Sequence, residues 1–133
     1  MKLRVNDVCV QSVSSLKEWT NTSIDVIQGE VYDFRASAIW SDYYIPVNAN
    51  GYKGEWVKKS KYKRLLHENR FALIGNIDKG NDASFLIGKN RRRCIITKSG
   101  RLYCFANDIK REKETLFLFS NWSAVKLFIK RVG

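Results

Sequence analysis

The sequence predicts an all-β fold, either an antiparallel sandwich or a barrel. β-branched and aromatic residues recur at every second position in several short segments, which is the pattern of half-buried strands. Segments rich in glycine, asparagine and aspartate separate these runs and are typical of turns. Of the 133 residues, 44% are apolar and 13% are aromatic, which indicates a globular protein with a packed core.

The first strands are predicted within "EWTNTSIDVIQGEVYDFRASAIWSD", which spans Glu18–Asp42. An alternating run from Thr22 to Val26 is followed by a second run from Val31 to Trp40. Gln28-Gly29 lies between them, and glycine tolerates the positive φ of a tight turn. We expect these two runs to form a β-hairpin.

Further strands are predicted along the chain from the same preference for β-branched and aromatic residues. They are Val5–Val10, Phe71–Ile77, Ser84–Ile87, Arg92–Thr97, Leu102–Ala106 and Val125–Lys130. The sequences "NIDKGND" and "KSG" between them carry turn chemistry. Asp78 and Asp82 are therefore interpreted as turn residues flanking Gly80 rather than as a pair of catalytic carboxylates.

Two longer connections interrupt this succession of strands. Asn48–Asn69 begins with glycines and continues with lysines, and a short helix is predicted within it at Lys58–Leu66. Ile109–Trp122 is charged first and aromatic afterwards. Connections of this length in a compact domain are usually functional or mobile. No repeat or shift in composition divides the chain, so one domain covering residues 1–133 is expected.

The N-terminal residues "MKLRVNDVCVQSVSS" place polar residues where a signal peptide needs an unbroken apolar segment. No run approaches the roughly 18 apolar residues that a membrane-spanning helix needs. We therefore expect a cytoplasmic protein without a membrane span.

The sequence gives little support to catalytic or zinc chemistry. The three cysteines, Cys9, Cys94 and Cys104, show no metal-binding spacing and are interpreted as small apolar core residues. A structural zinc site needs four converging soft ligands. His67 is the only histidine, and no serine or cysteine motif accompanies it. We expect a protein that is not an enzyme.

The chain is strongly basic. Its 24 lysines and arginines against 13 acidic residues give a net charge of +11, which attracts nucleic acid, anionic lipid or acidic polysaccharide. Two basic clusters are candidate polyanion sites, and a solvated surface is the alternative for each. The first cluster interleaves with aromatic residues, whose rings stack on bases and on sugars alike. The clusters are Lys58, Lys59, Lys61, Lys63 and Arg64, and then Arg91, Arg92 and Arg93.

Several motifs occur in an order that resembles the PA-IL-like galactophilic lectin family. They are "EWTNTSIDVIQGE", "FRASAIWSD", "FALIGNIDKGNDASFLIGKN" and "SGRLYCFANDI", and the resemblance extends over Val10–Ile129. The resemblance implies a jelly-roll β-sandwich of the galactose-binding-like type. It also implies a carbohydrate-binding function, with the sugar held at one end of the sandwich.

The resemblance further implies a calcium ion within that sugar site. Calcium takes about six to eight oxygen ligands, so carboxylates, amides and backbone carbonyls hold it while sugar hydroxyls complete the shell. Carried over by position, the metal ligands are Tyr43 through its carbonyl, Asp108, Ser120 and Asn121. The sugar-binding residues carried over, together with nearby aromatic candidates, are Asn50, Trp56, Asp108, Asn121 and Trp122.

The last family motif is altered in this chain. "SNWSAV" stands where the family has "DNSGSF", so that a serine replaces one amide and Trp122 is added. Positive charges at Lys110, Arg111 and Lys113 in the preceding loop oppose the binding of a cation. A degenerate site without calcium is therefore the alternative to a calcium site.

Three functions remain open from the sequence. The first is a lectin-like module for galactosides or acidic glycans. The second is a basic domain on the same fold that binds nucleic acid or another polyanion. The third is an interaction domain whose exposed aromatic residues pack on a partner, either another protein or a second copy in a homo-oligomer.

Overall fold

The structure is a computed structural model that describes residues 1–42, 45–53, 64–108 and 124–133, with the backbone alone at 41, 42 and 45. These residues form ten strands. In chain order the strands are β1 (Val8–Ser14), β2 (Thr20–Val26), β3 (Val31–Ser37), β4 (Trp40–Asp42), β5 (Ile45–Val47), β6 (Leu73–Ile77), β7 (Ser84–Leu86), β8 (Asn90–Ile95), β9 (Gly100–Ala106) and β10 (Ala124–Arg131).

Eight of the strands assemble into two four-stranded antiparallel sheets. Sheet A has the order β1-β10-β3-β8, and sheet B has the order β2-β9-β6-β7. The short strands β4 and β5 pair with each other. Buried side chains from both sheets form one hydrophobic cluster between them. The predicted all-β antiparallel fold is confirmed, and it takes the form of a sandwich.

Alternation along each strand places the apolar residues between the sheets. In β10, Val125, Leu127 and Ile129 are at most 1% exposed, whereas Lys126 and Lys130 are exposed. Burying one large aliphatic side chain stabilises the fold by about 1.5–3 kcal/mol. A shift of one residue in register would turn this whole set outward, so the alternation fixes the pairing of the strands.

The hairpin predicted between the first two runs is wrong. The runs form β2 and β3, but β2 pairs with β9 in sheet B, while β3 pairs with β10 and β8 in sheet A. The turn at Gly29 exists, with a φ of 93°, and it carries the chain from one sheet to the other. Alternation shows that a strand has one buried face, but it does not show which strand lies beside it.

Glu30 anchors this crossing between the sheets. Its side chain is 7% exposed, and its Oε1 accepts hydrogen bonds from Ile27 N at 2.8 Å and from the Tyr32 hydroxyl at 2.9 Å. Its Oε2 lies 3.1 Å from Arg131 Nη1, so the buried carboxylate has a counter-charge. Burial raises the pKa of Tyr32, which keeps its hydroxyl protonated as the donor to Glu30.

Most of the other predicted strands are confirmed with shifted ends. β6 and β7 form a hairpin, and the turn after β6 has positive φ at Asp78 and Lys79, as "NIDKGND" indicated. The strand predicted at Val5–Val10 lies instead at Val8–Ser14. The pair β4 and β5 was not predicted as two strands, because each is only three residues long.

The cysteines largely follow the prediction that they are core residues. Cys94 and Cys104 are buried, whereas Cys9 is only partly buried. Burial raises the pKa of the Cys104 thiol to about 12. The thiolate is the reactive form of cysteine, so Cys104 is inert at neutral pH.

None of the described residues lies in a helix. Of the helix predicted at Lys58–Leu66, only residues 64–66 are described, and they form bends and a turn. The rest of that prediction and the whole connection Ile109–Trp122 lie outside the described residues. Within the four described segments, no helix is long and apolar enough to cross a membrane.

Gly51 occupies a position that excludes a side chain, and Gly51→Ala tests this. Its φ is +69°, and a Cβ would overlap Arg70 O and lie 2.5 Å from Ala72 N. These are backbone atoms that cannot rotate away. We expect the free energy of unfolding, measured by urea denaturation, to fall by more than about 2 kcal/mol.

Gly29→Ala is the matched control for Gly51→Ala. Gly29 also has a positive φ, of +93°, but no described atom lies within 4 Å of the position of a Cβ. We expect this control to lose only the conformational part, about 1 kcal/mol. Equal losses in the two variants would show that crowding at Gly51 contributes nothing.

Candidate functional site

The end of the sandwich beyond β9 holds the central acid of the predicted sugar and metal site. Asp108 is 3% exposed, and its Oδ1 lies 3.1 Å from Nη2 of Arg70, which is 2% exposed. Withdrawing charges from water is costly unless they are paired, and here the guanidinium compensates the carboxylate. The carboxylate that was predicted to bind calcium is therefore already paired with a cation.

Asn107 secures the segment that carries Arg70. Its side chain is fully buried, and its Oδ1 accepts a hydrogen bond from Leu65 N at 2.7 Å. Its Nδ2 donates to Leu65 O at 2.9 Å and to Asn69 O at 3.0 Å. Both polar atoms of the amide are occupied in this way. The "ND" pair thus joins residues 64–70 to the end of β9.

Asn50 is hydrogen-bonded to the same end of the sandwich, and its side-chain oxygen accepts a hydrogen bond from the backbone. Its Oδ1 accepts a hydrogen bond from Lys89 N at 2.7 Å, and its carbonyl accepts one from Asn69 Nδ2 at 3.1 Å. Asn69 directly precedes Arg70, the partner of Asp108. One short segment therefore links the two predicted sugar-binding residues that the structure describes.

The other residues of the predicted sugar and metal sites lie outside the described residues, and their roles stay predictions. They are Tyr43, Trp56, Ser120, Asn121 and Trp122. Across the described segments, no group of three or more histidine, cysteine, aspartate or glutamate side chains is arranged to hold a metal ion. Calcium binding also stays a prediction, because calcium uses carbonyl and amide oxygens as well.

Arg64, from the first basic cluster, packs against aromatic rings. Its guanidinium carbon lies 4.4 Å from the ring centre of Trp19 and 3.5 Å from that of Phe105, a cation–π arrangement. Its Nη1 donates a hydrogen bond to the carbonyl of Glu18. Burial lowers the pKa of Arg64. The other members of the cluster lie outside the described residues, so that their part in polyanion binding stays a prediction: Lys58, Lys59, Lys61 and Lys63.

The second basic cluster is divided by an irregularity in β8. The register between β3 and β8 shifts at this point, and Arg93 has a φ of 52°, which together are typical of a β-bulge. Arg91 donates to Leu86 O at 2.7 Å, whereas Arg92 lines a groove on the outer face of sheet A. Arg91 and Arg92 therefore contact different parts of the surface.

A groove on the outer face of sheet B was not predicted from the sequence. Its volume is about 300 Å³. Outward residues of sheet B form its floor, and Trp19 and Leu65 pack over that face. We call it the sheet B groove. Its walls include Trp19, Arg64, Leu65, Asn76, Ser84 and Phe105.

Aromatic rings meet edge to face at the sheet B groove. The Trp19 ring lies 5.3 Å from that of Phe105 at 81°, and 6.0 Å from that of Tyr103 at 72°. The Lys79 ammonium lies 5.0 Å from the centre of the Tyr103 ring. Such edge-to-face contacts orient the rings relative to one another. The groove thus combines ordered aromatic surface with positive charge.

Asn76 contributes a buried polar atom that lacks a partner. It is 1% exposed, and its Nδ2 donates to Gly80 O at 2.9 Å and to Ser84 Oγ at 2.8 Å. No donor in the described part of the chain reaches its Oδ1. A buried acceptor without a partner costs about 1–3 kcal/mol, so a ligand that donates a hydrogen bond is favoured here. The signal in the sequence is an amide at an outward position of the otherwise apolar "ALIGNI".

Comparisons with known proteins identify the fold. No protein-family model matches this chain, and no curated protein matches it. Among solved structures, a lectin domain described as "EclA N-terminal domain; PllA-like lectin" is similar, with a TM-score of 0.61 and 18% sequence identity. The likeness covers 92% of this chain and 94% of that domain. It confirms the lectin-like β-sandwich fold that the sequence resemblance implied.

The buried pair of Arg70 and Asp108 is tested by a double-mutant cycle. Removing one partner leaves the other charge buried and uncompensated, which typically costs about 3–5 kcal/mol. We therefore expect Arg70→Met and Asp108→Asn each to lower the free energy of unfolding by about that amount. The double variant should lose clearly less than the sum of the two, as measured by urea denaturation. Additive losses would contradict a direct interaction between the two side chains.

Proposed function

We propose that this protein is a non-enzymatic, lectin-like module that binds carbohydrate in the sheet B groove. The observation that carries the proposal is the buried Oδ1 of Asn76, which no described donor reaches and which lies beside ordered aromatic rings. A sugar ring presents hydroxyl donors together with apolar C–H surface, and pockets for small molecules pair apolar walls with a few placed polar groups. The fold shared with a lectin domain supports the same proposal.

The size and polar groups of the groove favour a short sugar unit. A volume of about 300 Å³ lies at the lower end of the range of ligand pockets. Asn81 and Ser84 line the groove together with Asn76, so that both donors and acceptors face a bound hydroxyl. The proposed ligand is a terminal monosaccharide or disaccharide. Galactosides are the first class to test, because the sequence resembles that of galactophilic lectins.

The composition of the groove supports binding without turnover. Hydrolysis of a glycosidic bond generally needs a pair of carboxyl groups beside it. The lining residues that the structure describes include no aspartate, glutamate or histidine. The sugar is therefore proposed to leave the groove chemically unchanged.

Calcium is not required in the proposed mode of binding. The Arg70 guanidinium supplies positive charge beside Asp108, where the family pattern has a metal ion. The sheet B groove offers amide, hydroxyl and aromatic groups as the contacts for a sugar, and its described lining includes no carboxylate to hold a cation.

Asn81→Ala and Ser84→Ala test the groove. Each removes one neutral hydrogen-bonding group, which is worth about 0.5–1.5 kcal/mol. We expect each to weaken galactoside binding by roughly three- to tenfold in isothermal titration calorimetry. Gln28→Ala is the matched control, because it removes an exposed amide at the turn between β2 and β3, and its affinity should be unchanged.

The same measurements can contradict the proposal in two ways. Unchanged affinity in both groove variants would place the sugar elsewhere on the protein. A parent protein that binds no sugar on an array of galactosides and other glycans would remove carbohydrate binding as the function.

Calcium titration tests the metal-independent mode. We expect no heat of calcium binding, no rise in melting temperature and no change in galactoside affinity at calcium concentrations up to the millimolar range. A ligand bound only by the folded state raises the melting temperature. A rise with calcium that disappears in Asp108→Asn would therefore contradict this mode and support the metal site implied by the family.

A further inference from the structure

The outer face of sheet A concentrates positive charge away from the sheet B groove. Arg35 on β3 lies opposite Phe128 on β10, and Lys126 and Lys130 lie two residues to either side of Phe128. Arg92 joins them from β8. The four charged side chains are exposed. We call these residues, Arg35, Arg92, Lys126 and Lys130, the sheet A cations.

This face contains a groove. Its volume is about 330 Å³, and Arg35, Arg92 and Lys130 line it together with Asp33. The Asp33 carboxylate is engaged by the backbone, since its Oδ1 accepts a hydrogen bond from Arg93 N at 2.8 Å. Three cations against one carboxylate make the groove attractive to anions.

Arg35 is held in a defined orientation within the groove. Its guanidinium carbon lies 4.5 Å from the centre of the Phe128 ring, a cation–π contact that costs the side chain little of its hydrogen-bonding capacity. A planar guanidinium forms paired hydrogen bonds with carboxylate, sulfate or phosphate groups. Orientation before binding lowers the entropic cost of capturing such a group.

The aromatic side chains on this face indicate which class of polyanion it can bind. Arg35 covers the Phe128 ring, and the Phe34 ring is 1% exposed within the core. No tryptophan or tyrosine is found at the described outward positions of sheet A. Single-stranded nucleic acid is commonly held by bases stacked on aromatic rings. The face therefore fits a partner that is recognised through its charges alone.

The partner is also extended rather than a single small anion. Lys126 and Lys130 are four residues apart on one strand, which corresponds to about 13 Å. One sulfate or carboxylate cannot reach both ends of such a row. We propose that the sheet A cations bind an acidic polysaccharide that carries sulfate or carboxylate groups. This site lies on the opposite side of the sandwich from the sheet B groove and does not depend on it.

Heparin binding across a series of salt concentrations tests the site. In Arg35→Gln/Lys130→Gln we expect affinity for heparin to fall by at least about tenfold, with a shallower dependence on salt because fewer counterions are released. Lys17→Gln/Lys98→Gln is the matched control, since it removes the same charge from exposed positions outside this face. The control should lose less than about threefold.

A second double variant distinguishes a loss of binding from a loss of folding. Arg92→Gln/Lys126→Gln alters the same face at other positions, and it should weaken heparin binding in the same way while the melting temperature stays that of the parent. Equal losses in the control and in the variants of the face would overturn a localised site. Tighter binding to poly(dT) than to heparin, lost in the same variants, would overturn the polysaccharide as partner. Galactoside binding, followed in parallel, should be unchanged in all of these variants.

Discussion

The buried ion pair of Arg70 and Asp108 constrains one whole end of the molecule. Two buried charges must stay in contact, because moving them apart leaves each one desolvated without a counter-charge. Arg70 also accepts a hydrogen bond at its carbonyl from Tyr52 N at 2.9 Å, and Asp108 is the second residue after the end of β9. The pair therefore sets the positions of the loop at residues 48–53, the entry into β6 and the exit from β9. It also explains how an acid that resembles a calcium ligand can be stable without a metal beside it.

The sandwich could be predicted because its cause is local. The alternation in β10, with Val125, Leu127 and Ile129 inward, is visible in the sequence and survives in the fold. The pairing of strands could not be predicted in the same way, and the hairpin at Gly29 was the error that resulted. Which strand lies beside β2 depends on the packing of the whole core. A resemblance to a known family identified the fold without correcting that local error.

The candidate site was predicted less well, and the reasons are physical. The sequence singled out Asp108 as the central acid of a sugar and calcium site, which stays a prediction. Its partner Arg70 could not be predicted, because it lies far away in the sequence and belongs to no motif. Asn76 is at an outward position of β6, where a polar residue normally faces water. It is buried because Trp19 and Leu65 pack over this face of sheet B. The pattern of residues within one strand cannot reveal packing by distant segments. Net charge indicated an anionic partner, but only the strand register brought Arg35 beside Lys130 and Arg92.

The place of β10 in sheet A has a consequence for how the chain reaches this fold. β10 lies between β1 and β3, and these two strands are joined in the sheet only through their pairing with β10. Val8 pairs with Lys130, so the strand that completes the sheet is made long after the strands that need it. Contacts between such distant segments slow folding, and until they form, the edges of β1 and β3 are open to pairing with other chains. During synthesis on the ribosome, sheet A can therefore close only after β10 has emerged.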